Sequence, residues 1–253
     1  MLVAEEAHHG EEHGPLDQFE IHRILNLEVF GIDASFTNSA LWMVIAVTAI
    51  TLFLTLSMQG RAMVPGRWQS LAEAAYGLIA GAVRDNVGAE GRPFFPFIFS
   101  IFMFILFANF LGLIPFSFTV TSHIIVTFAM AAFIFVGVTL LGIVRHGFKF
   151  FALFSPPGVP VYLAPLLIPI EIIGYLTRPI SLSVRLAANM LAGHTMLKVF
   201  AGFIVPLGIF GFAPFVALIA IYALEVIVAF LQAYVFAVLT CLYLSDAIHL
   251  HTH

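Results

Sequence analysis

The stretch IEIIGYLTRPISLSVRLAANMLAGH, residues 170–194, decides the fold because it sets Glu171, Arg178, Arg185, Asn189 and His194 in almost wholly apolar surroundings. Glu171, Arg178 and Arg185 are seven residues apart, and seven helical steps of about 100° return to within roughly 20° of the starting direction. On a helix these three share one stripe, with Ser181 and Asn189 one turn to either side of Arg185 on the same face. A charge at bilayer depth costs at least about 2.5–3.5 kcal/mol, so its default reading is functional. Arg178 has snorkelling to an interface as its ordinary alternative. Arg185 lies too far inside the apolar run for that and reads as buried at mid-depth.

The rest of the composition agrees with a membrane setting. Of 253 residues, 61% are hydrophobic and only 9% charged, where a soluble domain carries about 25% charged residues. The expected fold class is an all-α polytopic membrane protein: five membrane-embedded helices plus an interfacial helix, the last two long, strongly tilted and packed as a hairpin. The lone Cys241 excludes an intramolecular disulfide and reads as a small packing residue. No basic patch calls for nucleic acid. No H-E-x-x-H, G-x-S-x-G or phosphate-binding loop is present, so no hydrolytic or nucleotide site is expected. His8, His9 and His13 near one end, and His249, His251 and His253 at the other, read as solvated tail residues. No metal or cofactor is expected.

Charge and apolar runs divide the chain. Residues 1–40 hold eight acids against Arg23 alone and read as an acidic tail with a short amphipathic piece around 18–27. Apolar spans are expected at about 41–58, 97–114, 123–144, 161–200 and 206–248, with a short tail at 249–253. Residues 68–87 mix Glu73, Arg84 and Asp85 with Leu71, Leu78, Ile79 and Val83, the pattern of an interfacial helix. Arg61, Arg67, Arg84 and Arg92 lie between the first two spans, Arg145 and Lys149 follow the third, and the link at 115–122 has no charge. Lys and Arg in short loops mark the cytoplasmic side, which places the N-terminus outside and the C-terminus in the cytoplasm.

The last two apolar segments each exceed 40 residues, about 60 Å if helical and twice the hydrocarbon thickness. Pro165, Pro169, Pro179 and Pro214 offer kinks, but two unbroken tilted helices turning at 202–208 are the preferred arrangement. Arg185 would then stand about 21 Å along the axis from Glu171 and His194 about 13 Å further. His194, nine residues from Arg185, points about 180° away from it. On the last helix Glu225 and Gln232 share a face, Glu225 lying deep, while Asp246 at the end needs no special role. Polar groups on both sides of a permanently charged guanidinium suit two proton half-paths, His194 and Glu225 on the outer one and Glu171 on the inner. A carboxylic acid carried past that guanidinium would be driven to release its proton, and the chain has no array of carboxylates that could move.

The segment SLSVRLAANMLAGH, residues 181–194, resembles the signature of subunit a of F-type ATP synthases. Arg178-Pro179, Glu171 and the N-x-x-G-x-I-P element at Asn109, Gly112 and Pro115 fit as well, and the likeness runs to Gln232. The resemblance implies a non-catalytic, proton-translocating stator subunit of a rotary ATP synthase. Arg185 would be its essential cation, with His194, Glu225, Glu171, Asn189 and Gln232 on the proton path and Ser181, Arg178 and Asn109 in support. It also names the partners: the subunit c ring against the Arg185 face, the peripheral-stalk subunit b, the remaining synthase subunits and membrane lipid. The order of His194 and Glu225 is that of the mitochondrial pattern and the exchange of the usual bacterial one. The external acidic tail favours a bacterial inner membrane over the mitochondrial one. Sodium transport also occurs in the family. The alternative class, a proton-coupled secondary transporter, should show internal repeats and paired interrupted helices, and neither is visible.

Overall fold

Two helices of unusual length carry the structure: α5, Ala164–Ile204, and α6, Phe212–Ile248. At about 1.5 Å per residue they reach roughly 60 and 55 Å. The computed structural model describes residues 23–25, 28–29, 32–33, 36–59, 65–114, 117–148, 150 and 163–249. Ahead of α5 stand α1, Asn38–Met58, α2, Arg67–Val87, α3, Phe95–Gly112, and α4, Ile124–His146. Short strands β1, Arg23–Leu25, and β4, Phe36–Thr37, pair antiparallel around an inner pair, β2, Glu28–Val29, and β3, Ile32–Asp33. Part of the expected amphipathic piece, residues 18–22 and 26–27, lies outside the described residues, as do the histidines at 8, 9, 13, 251 and 253, Arg61, Lys149 and Pro115.

Among the described residues five helical stretches are long and apolar enough to cross a membrane, and the chain is an all-α polytopic membrane protein. Helix α1 starts where Thr37 accepts a hydrogen bond from the Ala40 amide (3.4 Å), satisfying one of the free donors of its first turn. Helix α2 is amphipathic: Ala72, Ile79, Ala82, Val83 and Val87 are buried, while Trp68, Leu71 and Tyr76 are exposed. It continues through a 3₁₀ turn, Gly88–Phe94, into α3, which has no charged residue.

Helix α5 passes through Pro169 and Pro179 without interruption. Hydroxyls flank the second proline, Thr177 donating to the Gly174 carbonyl (2.8 Å) and Ser183 to that of Ile180 (2.9 Å). Such bonds are how a membrane helix tolerates a proline. The hairpin turn falls later than the sequence suggests, with α6 starting at Phe212 rather than near 206. Gly208 takes φ of +55° there, a region that favours glycine. A Cβ on Gly211 would strike the Ile204 carbonyl.

The core lies where α2, α3, α4, α5 and α6 meet, around Ile79, Ile98, Phe102, Ile134, Leu186, Met190 and Phe236. Ala229, Ala233, Ala237 and Cys241 recur every fourth residue on α6 and are fully buried. Small side chains let membrane helices approach closely, where van der Waals packing replaces a hydrophobic drive. This accounts for Cys241. At one end of the bundle Arg145 pairs with Glu90, and the His146 ring meets the Ile248 carbonyl at 3.0 Å. The ends of α4 and α6 are thereby tied to the α2–α3 turn.

Candidate functional site

Three elements converge on His194. Helix α5 presents it inward, α6 presents Glu225, and the link between α3 and α4 presents Thr119. His194 Nδ1 lies 3.6 Å from Glu225 Oε1, and His194 Nε2 lies 2.9 Å from Thr119 Oγ1. All three residues are buried, Glu225 to 5% exposure. Within the protein the Glu225 carboxyl accepts no hydrogen bond from a described residue, and 3.6 Å is beyond a direct N–H···O bond. The acid and the imidazole are therefore neighbours with no rigid bond between them. Gly193 makes the approach possible, because a Cβ there would lie 2.7 Å from Glu225 Cδ. One layer away, Asn109 of α3 donates to the Ala229 carbonyl of α6 at 3.1 Å, one turn on from Glu225. Tyr222 donates to the Leu113 carbonyl at 3.5 Å.

The opposite side of α5 is different. Arg185 is exposed on the surface of this chain, not buried as its depth in the apolar run suggests. Hydropathy reports position along a helix but not lateral direction, and the two are independent. His194 faces inward and Arg185 outward, as their nine-residue separation requires. Arg185 makes no hydrogen bond or ion pair with a described residue. Its stripe carries exposed Gly174, Ser181, Ala188 and Ala192, with Glu171 exposed at the near end. Asn189 is half-buried, and its Nδ2 finds no partner among the described residues. Gln232 on α6 is half-buried.

Arg178, two turns before Arg185, has a partner that the sequence reading passed over. Its Nη1 lies 2.7 Å from Asp246 Oδ2 on α6, the side chains 31% and 26% exposed. The expectation that Asp246 has no special role is corrected by this contact: antiparallel packing of α5 on α6 brings together residues 68 positions apart. The guanidinium also sits over the rings of Tyr175 (5.2 Å) and Tyr243 (5.1 Å). Tyr175 in turn meets the Thr139 hydroxyl of α4 at 2.7 Å. Thr119 and Asp246 are the two polar groups missed by sequence reasoning. The first is one hydroxyl among several in a short link, the second an ordinary-looking charge at a helix end.

The fold and these side chains define a class: a polytopic helical membrane protein with a buried acid–imidazole pair on one side of a long helix and an exposed arginine on the other. The family model described as ATP synthase A chain matches residues 40–245. The chain is 57% identical over 244 residues to ATP synthase subunit a of Paramagnetospirillum magneticum, covering 94% of this chain and 99% of that one. It is 56% identical over 242 residues to ATP synthase subunit a of Parvibaculum lavamentivorans, covering 93% of each. With the protein of that name from Pelagibacter ubique it shares 54% over 239 residues, 94% of this chain and 98% of the other. The chain belongs to the ATP synthase A chain family.

Proposed function

We propose that the chain is the stator subunit of the membrane sector of a rotary ATP synthase, multi-pass in a bacterial inner membrane. It passes protons on and off the carboxylates of a c ring through two half-paths separated by Arg185. The N-terminus lies outside and the C-terminus in the cytoplasm, on the bias of Lys and Arg toward the α2–α3 turn and the end of α4. Nucleotide chemistry belongs to other subunits, and a peripheral stalk holds this one still.

The observation that carries the reading is the placing of one permanent charge, unpaired among the described residues, on an exposed stripe of small residues, with the buried acid–imidazole pair behind it. An exposed guanidinium midway along an apolar helix is costly in lipid and is relieved by a partner's carboxylate. Gly174, Ser181, Ala188 and Ala192 allow helix backbones to come close. A charge that stays on at any physiological pH favours release of a proton from each acid brought beside it and repels a proton crossing directly between the half-paths. His194 and Glu225 form the outer path and Glu171 lines the inner one, with Asn189 and Gln232 as polar wall groups near the ring.

Cross-linking tests the partner. Ser181→Cys, oxidised in membranes against single cysteines placed along the carboxylate-bearing helix of subunit c, is expected to form a disulfide dimer. A cysteine at Val136, exposed on α4, should form none. No a–c product from position 181 in an assembled, ATP-hydrolysing complex would overturn the reading.

A further inference from the structure

We infer that Thr119 is the positioning residue of the His194–Glu225 pair, holding the imidazole so that Nδ1 remains the proton-exchanging atom in both charge states of the ring. The inference rests on the outer half-path reading and adds a group to it.

The geometry is specific. Thr119 is 2% exposed. Its Oγ1 is 2.9 Å from His194 Nε2 and, on its other side, 3.4 Å from the Gly112 carbonyl, to which it can donate. A hydroxyl rotates, with one proton to give and lone pairs to receive. When His194 carries protons on both nitrogens, Nε2–H donates to Thr119, whose own proton turns to Gly112. When Nδ1 has given up its proton, the neutral ring keeps the one on Nε2, which still donates to Thr119. Thr119 therefore keeps its own proton on the Gly112 carbonyl throughout, where Ser117 also donates, at 3.0 Å. Ring position is thus independent of charge. The proton moves between Glu225 Oε1 and His194 Nδ1, an O–H bond breaking as an N–H bond forms. A valine of the same shape could not accept the Nε2–H bond.

Gly112 explains the closeness of the fit. A Cβ there would lie 2.8 Å from Thr119 Cγ2 and 3.1 Å from Oγ1, so the glycine of the N-x-x-G element is where Thr119 seats. Among the described residues Glu225 from α6 and Lys198, one turn on in α5, also act on His194. Tyr222 lies one turn before Glu225 with its hydroxyl on Leu113, and His123 of the link is stacked on Phe118 at 4.9 Å between ring centres.

The test is ATP-driven proton pumping by the assembled complex in lipid vesicles, with the pH on the side served by the outer path varied. Thr119→Val is expected to lower flux about tenfold, the effect of one hydrogen bond, and to displace the pH midpoint. Thr119→Ser restores most of the flux and the midpoint. Where Thr119→Val does not assemble, Gly112→Ala serves instead. It pushes on Cγ2, so it should lose flux alone and recover when combined with Thr119→Ser, which lacks that methyl. His194→Ala and Glu225→Gln are measured alongside. Normal flux in those two sinks the half-path reading. Loss in those two with normal flux and midpoint in Thr119→Val, or no recovery in the Gly112→Ala pair, overturns the role of Thr119.

Discussion

Helices α5 and α6 join twice through an acid and a base, and the two joints are built oppositely. At the Arg178–Asp246 joint the atoms are 2.7 Å apart, the groups are partly exposed, and two tyrosine rings flank the guanidinium. At the His194–Glu225 joint the separation is 3.6 Å, both groups are buried, and the carboxyl accepts no hydrogen bond from a described residue. An arginine keeps its proton, so the first joint is a fixed ion pair. An imidazole nitrogen can give up or take a proton, and so can the carboxyl beside it. The first joint locks two helices, while the second is suited to exchanging a proton between them.

Substitutions should separate the two. Glu225→Gln removes the exchanging acid and is expected to lower proton flux through the reconstituted complex by about a hundredfold, the range of a lost acid–base group. Flux within twofold of wild type would make the joint structural. Exchange of the pair, His194→Glu with Glu225→His, should retain more flux than either change alone, because the two groups act on one proton. A double exchange no better than the single changes would separate them into independent sites. Asp246→Asn leaves Arg178 without its counter-charge at a partly exposed position, where such a pair contributes about 1 kcal/mol or less. The expected result is a slightly lower unfolding temperature in detergent and about a twofold change in flux. A loss as large as that of Glu225→Gln would erase the distinction drawn here. Asn109→Ala removes the bond to the Ala229 carbonyl, worth about 0.6 kcal/mol for interhelical bonds in membranes. It should be the mildest change in thermal stability, and a larger effect than that of Asp246→Asn would reverse the ranking.

Much of this was legible before any coordinates. Charge-free apolar runs mark the helices to within a few residues because hydropathy and length suffice in a bilayer. The α5–α6 turn lies later than hydropathy suggests because residues 206–211, PLGIFG, are as apolar as the helix that follows, and only Pro206, Gly208 and Gly211 punctuate them. Arg185, His194 and Glu225 stood out as ionisable groups in apolar sequence, and helical phase correctly set Arg185 and His194 on opposite faces. The surface position of Arg185 was not legible, since hydropathy says nothing of what a helix face meets. Nor were Thr119 and Asp246. Each owes its place to contacts across 75 and 68 residues, and a hydroxyl in a link or an acid at a helix end carries no signal of its own.

The central claim is that the single charge of Arg185 both drives proton release from passing carboxylates and keeps the two half-paths apart. The direct measurement is proton flux in vesicles containing the complex with Arg185→Ala, recording ATP-driven pumping and passive leak separately. The account predicts an assembled complex with coupled pumping abolished and passive leak raised. Near-normal coupled pumping by Arg185→Ala would contradict it.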